Sequence, residues 1–132
     1  MKSAQYRLKK LKIRIDRGLY DFEINYYVKK FNIKNFRGVF DRQKLPLRPR
    51  KKECLIFNLD DVENPGTHWV ALRKINKDVI YFDSYGDLPP PKEMFKYLKN
   101  CTIYYNHHDY QGHYAVICGQ LCLEFLINTS NF

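Results

Sequence analysis

Residues 68–83 read HWVALRKINKDVIYFD, and this stretch decides the fold. Two apolar runs, Trp69–Arg73 and Val79–Phe82, flank a short polar turn, which is the pattern of a β-hairpin. In a hairpin with so short a turn, the start of the first strand lies beside the end of the second. His68 and Asp83 stand at these two positions, so the pattern predicts that an imidazole and a carboxylate lie within reach of each other.

The flanking patterns predict an α+β domain with a small, mostly antiparallel central sheet and flanking helices. Apolar residues make up 45% of the 132 residues and aromatic residues 16%, which argues against a disordered chain. Further strands are predicted at Cys54–Leu59 and Cys101–Tyr105, and helices at Lys92–Leu98 and over 118–127. Another helix is expected to begin at Asp21 as its N-cap, because apolar residues recur at helical spacing after it.

The N-terminal part of the chain is strongly basic. Residues 1–53 carry 17 Lys and Arg against 5 Asp and Glu, whereas residues 54–132 carry 6 against 9. This asymmetry is typical of a protein that binds a polyanion, and a solvated basic face that aids solubility is the alternative. Within this part we expect a basic arm over 1–18, partly ordered at best, before a single domain over 19–132. Residues 36–46 are expected to form a loop.

One of the four cysteines, Cys118, has the position of a nucleophile. It lies where a loop turns into the last predicted helix, and the partial positive charge of a helix N-terminus favours a thiolate. Gly119 allows a substrate to approach the backbone, whose N–H groups can bind an oxyanion. The other three cysteines are interpreted as small hydrophobic residues of the core: Cys54, Cys101 and Cys122. The same structural role is the alternative for Cys118.

Other interpretations of these residues stay open at this point. Cys118 and Cys122 have the spacing of half a zinc site, although no second pair with finger-like spacing follows. The remaining ligands would have to come from three histidines: His107, His108 and His113. Gln111 is either a solvated loop residue or a neutral donor to an oxyanion. His68 and Asp83, each taken alone, are equally compatible with a surface histidine and a turn aspartate.

Four residues follow in the order His68, Asp83, Gln111 and Cys118. This order resembles that of the adenovirus-type cysteine peptidases, which share a superfamily with the ubiquitin-like-protein proteases. The local motifs that match are Gly66-Thr67-His68-Trp69, Tyr81-Phe82-Asp83-Ser84-Tyr85-Gly86, and Gln111-Gly112 before Cys118-Gly119. The N-terminal patterns Tyr20–Ile24, Phe36–Phe40 and Leu45-Pro46 resemble versions from virophages and Polinton-like viral elements. The resemblance extends from about residue 19 to the last residue.

This resemblance implies a papain-like, adenain-like core with the nucleophile at the N-terminus of a buried C-terminal helix. The catalytic roles that it implies are general base for His68, orientation of that base for Asp83, nucleophile for Cys118, and oxyanion donor for Gln111 together with the Cys118 N–H. It also implies that Trp69 and Gly119 bind the substrate, and a purely core role is the alternative for Trp69.

By the same resemblance, the chain is expected to be a viral thiol endopeptidase that cleaves capsid or other structural precursors during particle maturation, at small, Gly-containing sites. No metal or cofactor is required, while DNA and a peptide are the activators that the resemblance implies, with DNA bound by the basic N-terminal half. The apolar stretches are too short to span a bilayer and no leader is visible, so we expect a monomer in the infected cell, in the virus factory or nucleus, and in the virion, without membrane contact.

Two alternative functions remain. The first is an isopeptidase that acts on ubiquitin-like modifiers, as deubiquitinases and SUMO proteases do. The second is a basic nucleic-acid-binding module without catalysis, for which aromatic residues near the basic stretches, such as Tyr26 and Tyr27, are suitable.

Overall fold

The computed structural model describes residues 3–59, 68–109 and 117–132. The described elements follow in the order α1 (Ala4–Lys10), α2 (Asp21–Lys30), β1 (Phe36–Asp41), β2 (Lys52–Asn58), β3 (Trp69–Ile75), β4 (Asp78–Phe82), α3 (Lys92–Tyr97), β5 (Thr102–Tyr105) and α4 (Cys118–Asn128). In these ranges, no helix is both long and apolar enough to cross a membrane.

The strands form one sheet in the order β1-β2-β3-β4-β5. The three central strands are antiparallel, whereas β1 and β5 at the two edges run parallel to their neighbours. The hairpin of β3 and β4 is present, with Ile75 opposite Asp78 and Ala71 opposite Phe82. The α+β fold class is therefore confirmed, and the parallel edge strands are an addition that the sequence pattern did not indicate.

Helices cover both faces of the sheet. On one face, α1, α2 and α4 pack against strand residues such as Ile56 and Ala71. On the other face, α3 packs against their neighbours Leu55 and Leu72. Because both faces are buried, β2 is apolar without alternation, as is usual for a strand between two helical layers. Helix α4 is buried over its whole first half, from Cys118 to Glu124, so it forms the centre of its layer.

The described part of residues 1–18 packs on the core, whereas the sequence indicated a basic arm, partly ordered at best. The Ser3 hydroxyl caps α1 by accepting a hydrogen bond from the Tyr6 N–H. Leu8 and Ile13 are buried in the core. The side-chain amide of Gln120 in α4 donates to the backbone carbonyls of Arg14 and Arg17. Because many cations surround these apolar residues, the sequence does not indicate their burial. They nevertheless suffice to pack the segment against the core.

Two other local expectations for this region are wrong. Residues 36–46 include strand β1, whose register shifts between Phe36 and Val39, where Gly38 has a φ of +149°. This irregularity interrupts the alternation by which a strand is recognised. Helix α2 has Tyr20 as its N-cap, one residue before Asp21, and the Glu23 carboxylate accepts the Tyr20 N–H at 3.0 Å.

Candidate active site

Three of the four predicted catalytic residues lie together at one end of the central strands. His68 precedes β3 and Asp83 follows β4, and the antiparallel pairing of these strands places the two side by side. His68 Nε2 lies 2.8 Å from Asp83 Oδ1. The side chain of Cys118, the first residue of α4, is hydrogen-bonded to the same imidazole. The sulfur of Cys118 also accepts the Trp69 backbone N–H at 3.4 Å.

The imidazole of this cluster is held in its protonated form. Asp83 is 1% exposed and the His68 side chain 18%. Burial disfavours the imidazolium, but hydrogen bonds and charge interactions with Asp83 and Cys118 outweigh it and raise the pKa of His68 to about 9. An imidazolium, a backbone N–H and the N-terminus of α4 therefore meet at the sulfur, and all three stabilise a negative charge there.

Two residues that the sequence did not single out hold Asp83 in place. Asn106 accepts the Asp83 N–H at 2.9 Å, and its own side-chain amide donates to the Asp83 carbonyl. The Tyr85 N–H donates to Asp83 Oδ1 at 3.0 Å, and the Tyr85 ring lies 4.7 Å from the His68 ring. Asn106 follows β5, so only the parallel pairing of β5 with β4 brings it to Asp83. A correct assignment of that pairing would have identified Asn106 from the sequence.

We expect Asn106→Ala to lower kcat/KM for a peptide substrate about tenfold, because Asp83 loses two hydrogen bonds that fix its backbone. The unfolding free energy should fall by about 1–3 kcal/mol, as is usual when a buried polar group loses its partner. Asn128→Ala, at an exposed position of α4, is the control. An NMR titration should show the pKa of His68 lowered in Asn106→Ala only, and an unchanged titration would mean that Asn106 does not position Asp83.

The other two free thiols in the interior have surroundings unlike those of Cys118. Burial raises the pKa of Cys54 to about 11 and holds that of Cys122 well above its ordinary range. Both are fully buried in the core, in agreement with the prediction. Within the described ranges, no group of three His, Cys, Asp or Glu residues has a geometry that could hold a metal ion. Gln111 and His113 lie outside the described residues, so the oxyanion role of Gln111 stays a prediction.

A cleft of about 700 Å³ leads to the Trp69 ring, between the residues that precede α2 and the end of β1. Trp69 is 8% exposed and its indole N–H donates to the Leu19 carbonyl at 3.0 Å, so it is a core residue that also forms a wall of this cleft. A Cβ at Gly119 would lie 3.0 Å from the Trp69 ring and 3.5 Å from Leu19. Gly119 therefore lets the Trp69 ring pack against the start of α4.

The chain is similar to the crystal structure of the ASFV pS273R protease, with a TM-score of 0.63 and 16% sequence identity over 87% of this chain and 58% of that one. This chain has the fold of that protease. A selenomethionine structure of the same protease gives a TM-score of 0.54 and 17% identity over 88% of this chain and 60% of that one. The chain thus spans less than two thirds of the length of that protease. No family model and no curated protein matches this sequence.

The raised pKa of His68 predicts that stability falls as the pH rises. The folded protein holds the His68 proton up to about pH 9, whereas an unfolded histidine loses it near 6.5. The contribution of His68 protonation to the free energy of unfolding is therefore complete below about pH 6.5 and is lost as the pH rises through 9. It amounts to no more than about 3 kcal/mol. Denaturant unfolding between pH 6.5 and 8.5 should show this decline in the wild type and a flatter profile in His68→Gln. Identical profiles for the two proteins would contradict the raised pKa of His68. Cys54 and Cys122 lower the stability only at higher pH, because their own pKa values are raised.

Proposed function

We propose that this chain is a cysteine endopeptidase. The observation that carries the proposal is the joint contact of His68 with Asp83 and Cys118 on a fold shared with a viral cysteine protease. In the proposed reaction, the Cys118 thiolate attacks the peptide carbonyl carbon, and the oxygen takes up the negative charge near the Cys118 N–H and Gln111. His68 then donates its proton to the leaving amine, and an acyl-enzyme thioester remains. A water molecule, deprotonated by His68, attacks this thioester and releases the acid and the free thiol.

The surroundings of the thiol support a preference for small residues at the cleaved bond. Cys118 is only 5% exposed, and the Trp69 ring packs against the adjacent Gly119. Because the thiol is so little exposed, we propose that glycine beside the scissile bond fits there with the least displacement. The cleft of about 700 Å³ that ends at Trp69 is the proposed binding site for the chain leading to that bond.

We further propose that the substrates are capsid or other structural precursors of a virus, cleaved in the infected cell and in the virion by a monomeric enzyme without a cofactor. The similarity to a viral protease and the motifs around His68, Asp83 and Cys118 support this assignment. The isopeptidase alternative uses the same thiol and fold. Its substrate would be a folded ubiquitin-like modifier joined to a lysine side chain, rather than an extended precursor segment.

Labelling with a peptide electrophile tests the proposed function. A peptide ending in a Gly-Gly vinyl ester should modify Cys118 alone, as located by mass spectrometry, and the reaction should disappear in His68→Ala. A ubiquitin-like protein with the same reactive end is the comparison for the isopeptidase alternative. Faster labelling by the modifier than by the peptide would favour the isopeptidase, and modification of Cys118 by neither would overturn both.

DNA remains the proposed polyanionic partner of the basic N-terminal half. Several of its cations are already paired, since Arg7 binds Glu124 and Arg17 binds Glu23. Lysines on and after α1 are exposed and are the cations that we assign to DNA: Lys9, Lys10 and Lys12. Duplex DNA should bind with an affinity that falls as salt rises, with a log–log slope of roughly 0.9 for each phosphate contact, and Lys9→Gln/Lys12→Gln should reduce this slope. DNA binding without labelling of Cys118 would favour the non-catalytic alternative.

A further inference from the structure

A second cleft lies on the face of the sheet that α3 covers, and it shares no residue with the catalytic cluster. It has a volume of about 890 Å³ and is bounded by the segment between β1 and β2 and by α3. We call it the α3 groove. Four cations and one anion line it: Arg42, Arg48, Lys96 and Lys99 against Glu93.

A buried polar network beneath the α3 groove holds its wall in place. The Glu53 carboxylate, buried at the start of β2, accepts the Tyr97 hydroxyl at 2.7 Å, the Arg37 guanidinium at 3.0 Å and the Arg50 N–H at 3.0 Å. Arg37 also donates to the Arg48 carbonyl at 2.7 Å. The segment between β1 and β2 is thus bonded both to β1 and to β2, and Tyr97 bonds α3 to the same Glu53 carboxylate, so the groove exists before any ligand binds.

The positive charge of the α3 groove is poorly compensated. The nearest contact between Arg42 and Glu93 is 3.9 Å, and in the described part of the chain the buried Arg42 Nε has no hydrogen-bond partner. Arg48, Lys96 and Lys99 are exposed. An anionic ligand is therefore the electrostatic complement of this surface.

Apolar side chains lie beside these cations, and they indicate which kind of anionic ligand fits the groove. Leu47 is 94% exposed, and Leu45, Pro46 and Pro49 line the same groove. The aromatic residue among the described lining residues is Tyr97, which is 8% exposed with its hydroxyl bound to Glu53, so no open ring face is offered for base stacking. Cations beside exposed leucine and proline suit an acidic polypeptide with apolar side chains better than they suit a nucleic acid.

The path of the chain connects the α3 groove to the cleft beside Trp69. Because β1 and β2 are parallel, the segment between them starts at the end of the strands where the catalytic cluster lies. It then returns along the α3 side to the opposite end of the strands. At its start, Asp41 and Lys44 line the cleft beside Trp69, whereas Arg42 and Leu45 line the groove. The two clefts thus lie on either side of one turn, and a single extended polypeptide can occupy both.

We propose that the α3 groove docks an acidic, leucine-containing segment of the same substrate protein whose peptide bond reaches Cys118. The proposal rests on the proposed peptidase function. Such a contact keeps the scissile bond near the thiol by raising its local concentration, and it selects substrates by a segment outside the cleaved site.

The test measures binding apart from catalysis. A fluorescein-labelled peptide of repeated Glu-Asp-Leu units is titrated against the full chain carrying Cys118→Ala, and its fluorescence anisotropy is followed. The groove variant is Arg48→Gln/Lys96→Gln/Lys99→Gln. Its matched control, Lys9→Gln/Lys29→Gln/Lys34→Gln, removes the same charge from exposed lysines that do not line the groove. We expect the groove variant to weaken binding about tenfold and the control less than twofold, since each exposed ion pair contributes little alone. Leu47→Ser should weaken binding about threefold, because a nearly fully exposed leucine is lost as an apolar contact.

Cleavage provides the second measurement. In the wild type, a Gly-Gly peptide extended by the Glu-Asp-Leu segment should have a lower KM than the peptide without it, and the groove variant should remove this advantage while leaving Cys118 labelling unchanged. Equal loss of binding in both triple variants would overturn the proposal in favour of general charge attraction. Binding of duplex DNA, but not of the peptide, that depends on the groove cations would overturn it in favour of a nucleic-acid site. Failure of labelling in the wild type would count against the peptidase alone.

Discussion

Replacement of Cys118 by alanine is expected to abolish peptide cleavage and to leave the fold intact. In the proposed reaction the sulfur forms the acyl-enzyme, and its contacts with His68 and the Trp69 N–H have no substitute in alanine. Cys122 cannot replace it, because burial keeps its thiol protonated one helical turn away. We expect kcat/KM to fall by a factor of at least about 10³, the scale seen when a covalent nucleophile is removed. Initial rates on a fluorogenic Gly-Gly peptide, together with thermal unfolding, measure both parts of the prediction.

Cys101→Ala is the matched control for this change. Cys101 was predicted to be buried, but it precedes β5, is partly exposed, and lies with the residues that pack on the α3 face. Its removal should leave the rate within about twofold, since surface substitutions away from a site have small effects. Undiminished cleavage by Cys118→Ala would eliminate the thiol mechanism, and unfolding of that variant would require Cys118→Ser as the replacement test.

His68→Ala is expected to have the second-largest effect, a loss of roughly 10³ in kcat/KM, because the proposed base and counter-ion of the thiolate are removed together. The chain offers a close control. His107 and Asp87 form a second histidine–aspartate pair, with Nδ1 2.7 Å from Oδ1, but both side chains are more than two thirds exposed. His107→Ala should retain nearly full activity. Equal losses in the two variants would show that His68 has no special role in the reaction.

The local sequence predicted much of this site because two of its parts depend on short-range structure. A hairpin with a short turn places the residue before β3 beside the residue after β4, whatever the rest of the fold does, so His68 and Asp83 could be paired from the sequence. The start of α4 at Cys118 was equally accessible, because the apolar run after it is long and helical. These are contacts that the sequence period and turn length determine.

Long-range contacts explain what was missed. Asn106 reaches Asp83 only through a parallel pairing of strands that are separated by α3, and no local pattern indicates which strands pair in this way. The docking of α1 on α4 depends on Leu8 and on an ion pair between Arg7 and Glu124, residues at opposite ends of the chain. Cationic neighbours make such a segment look solvated, and its burial appears only when its partner helix is present.

The central position of α4 has a consequence for biosynthesis. This helix is translated after every other described element, yet α1, α2 and β3 bury their apolar surfaces against it. The emerging chain therefore cannot complete its interior until the helix that begins with Cys118 has left the ribosome. Contacts between residues so distant in sequence also slow folding. The contact between Cys118 and His68 therefore forms only after this helix has been synthesised.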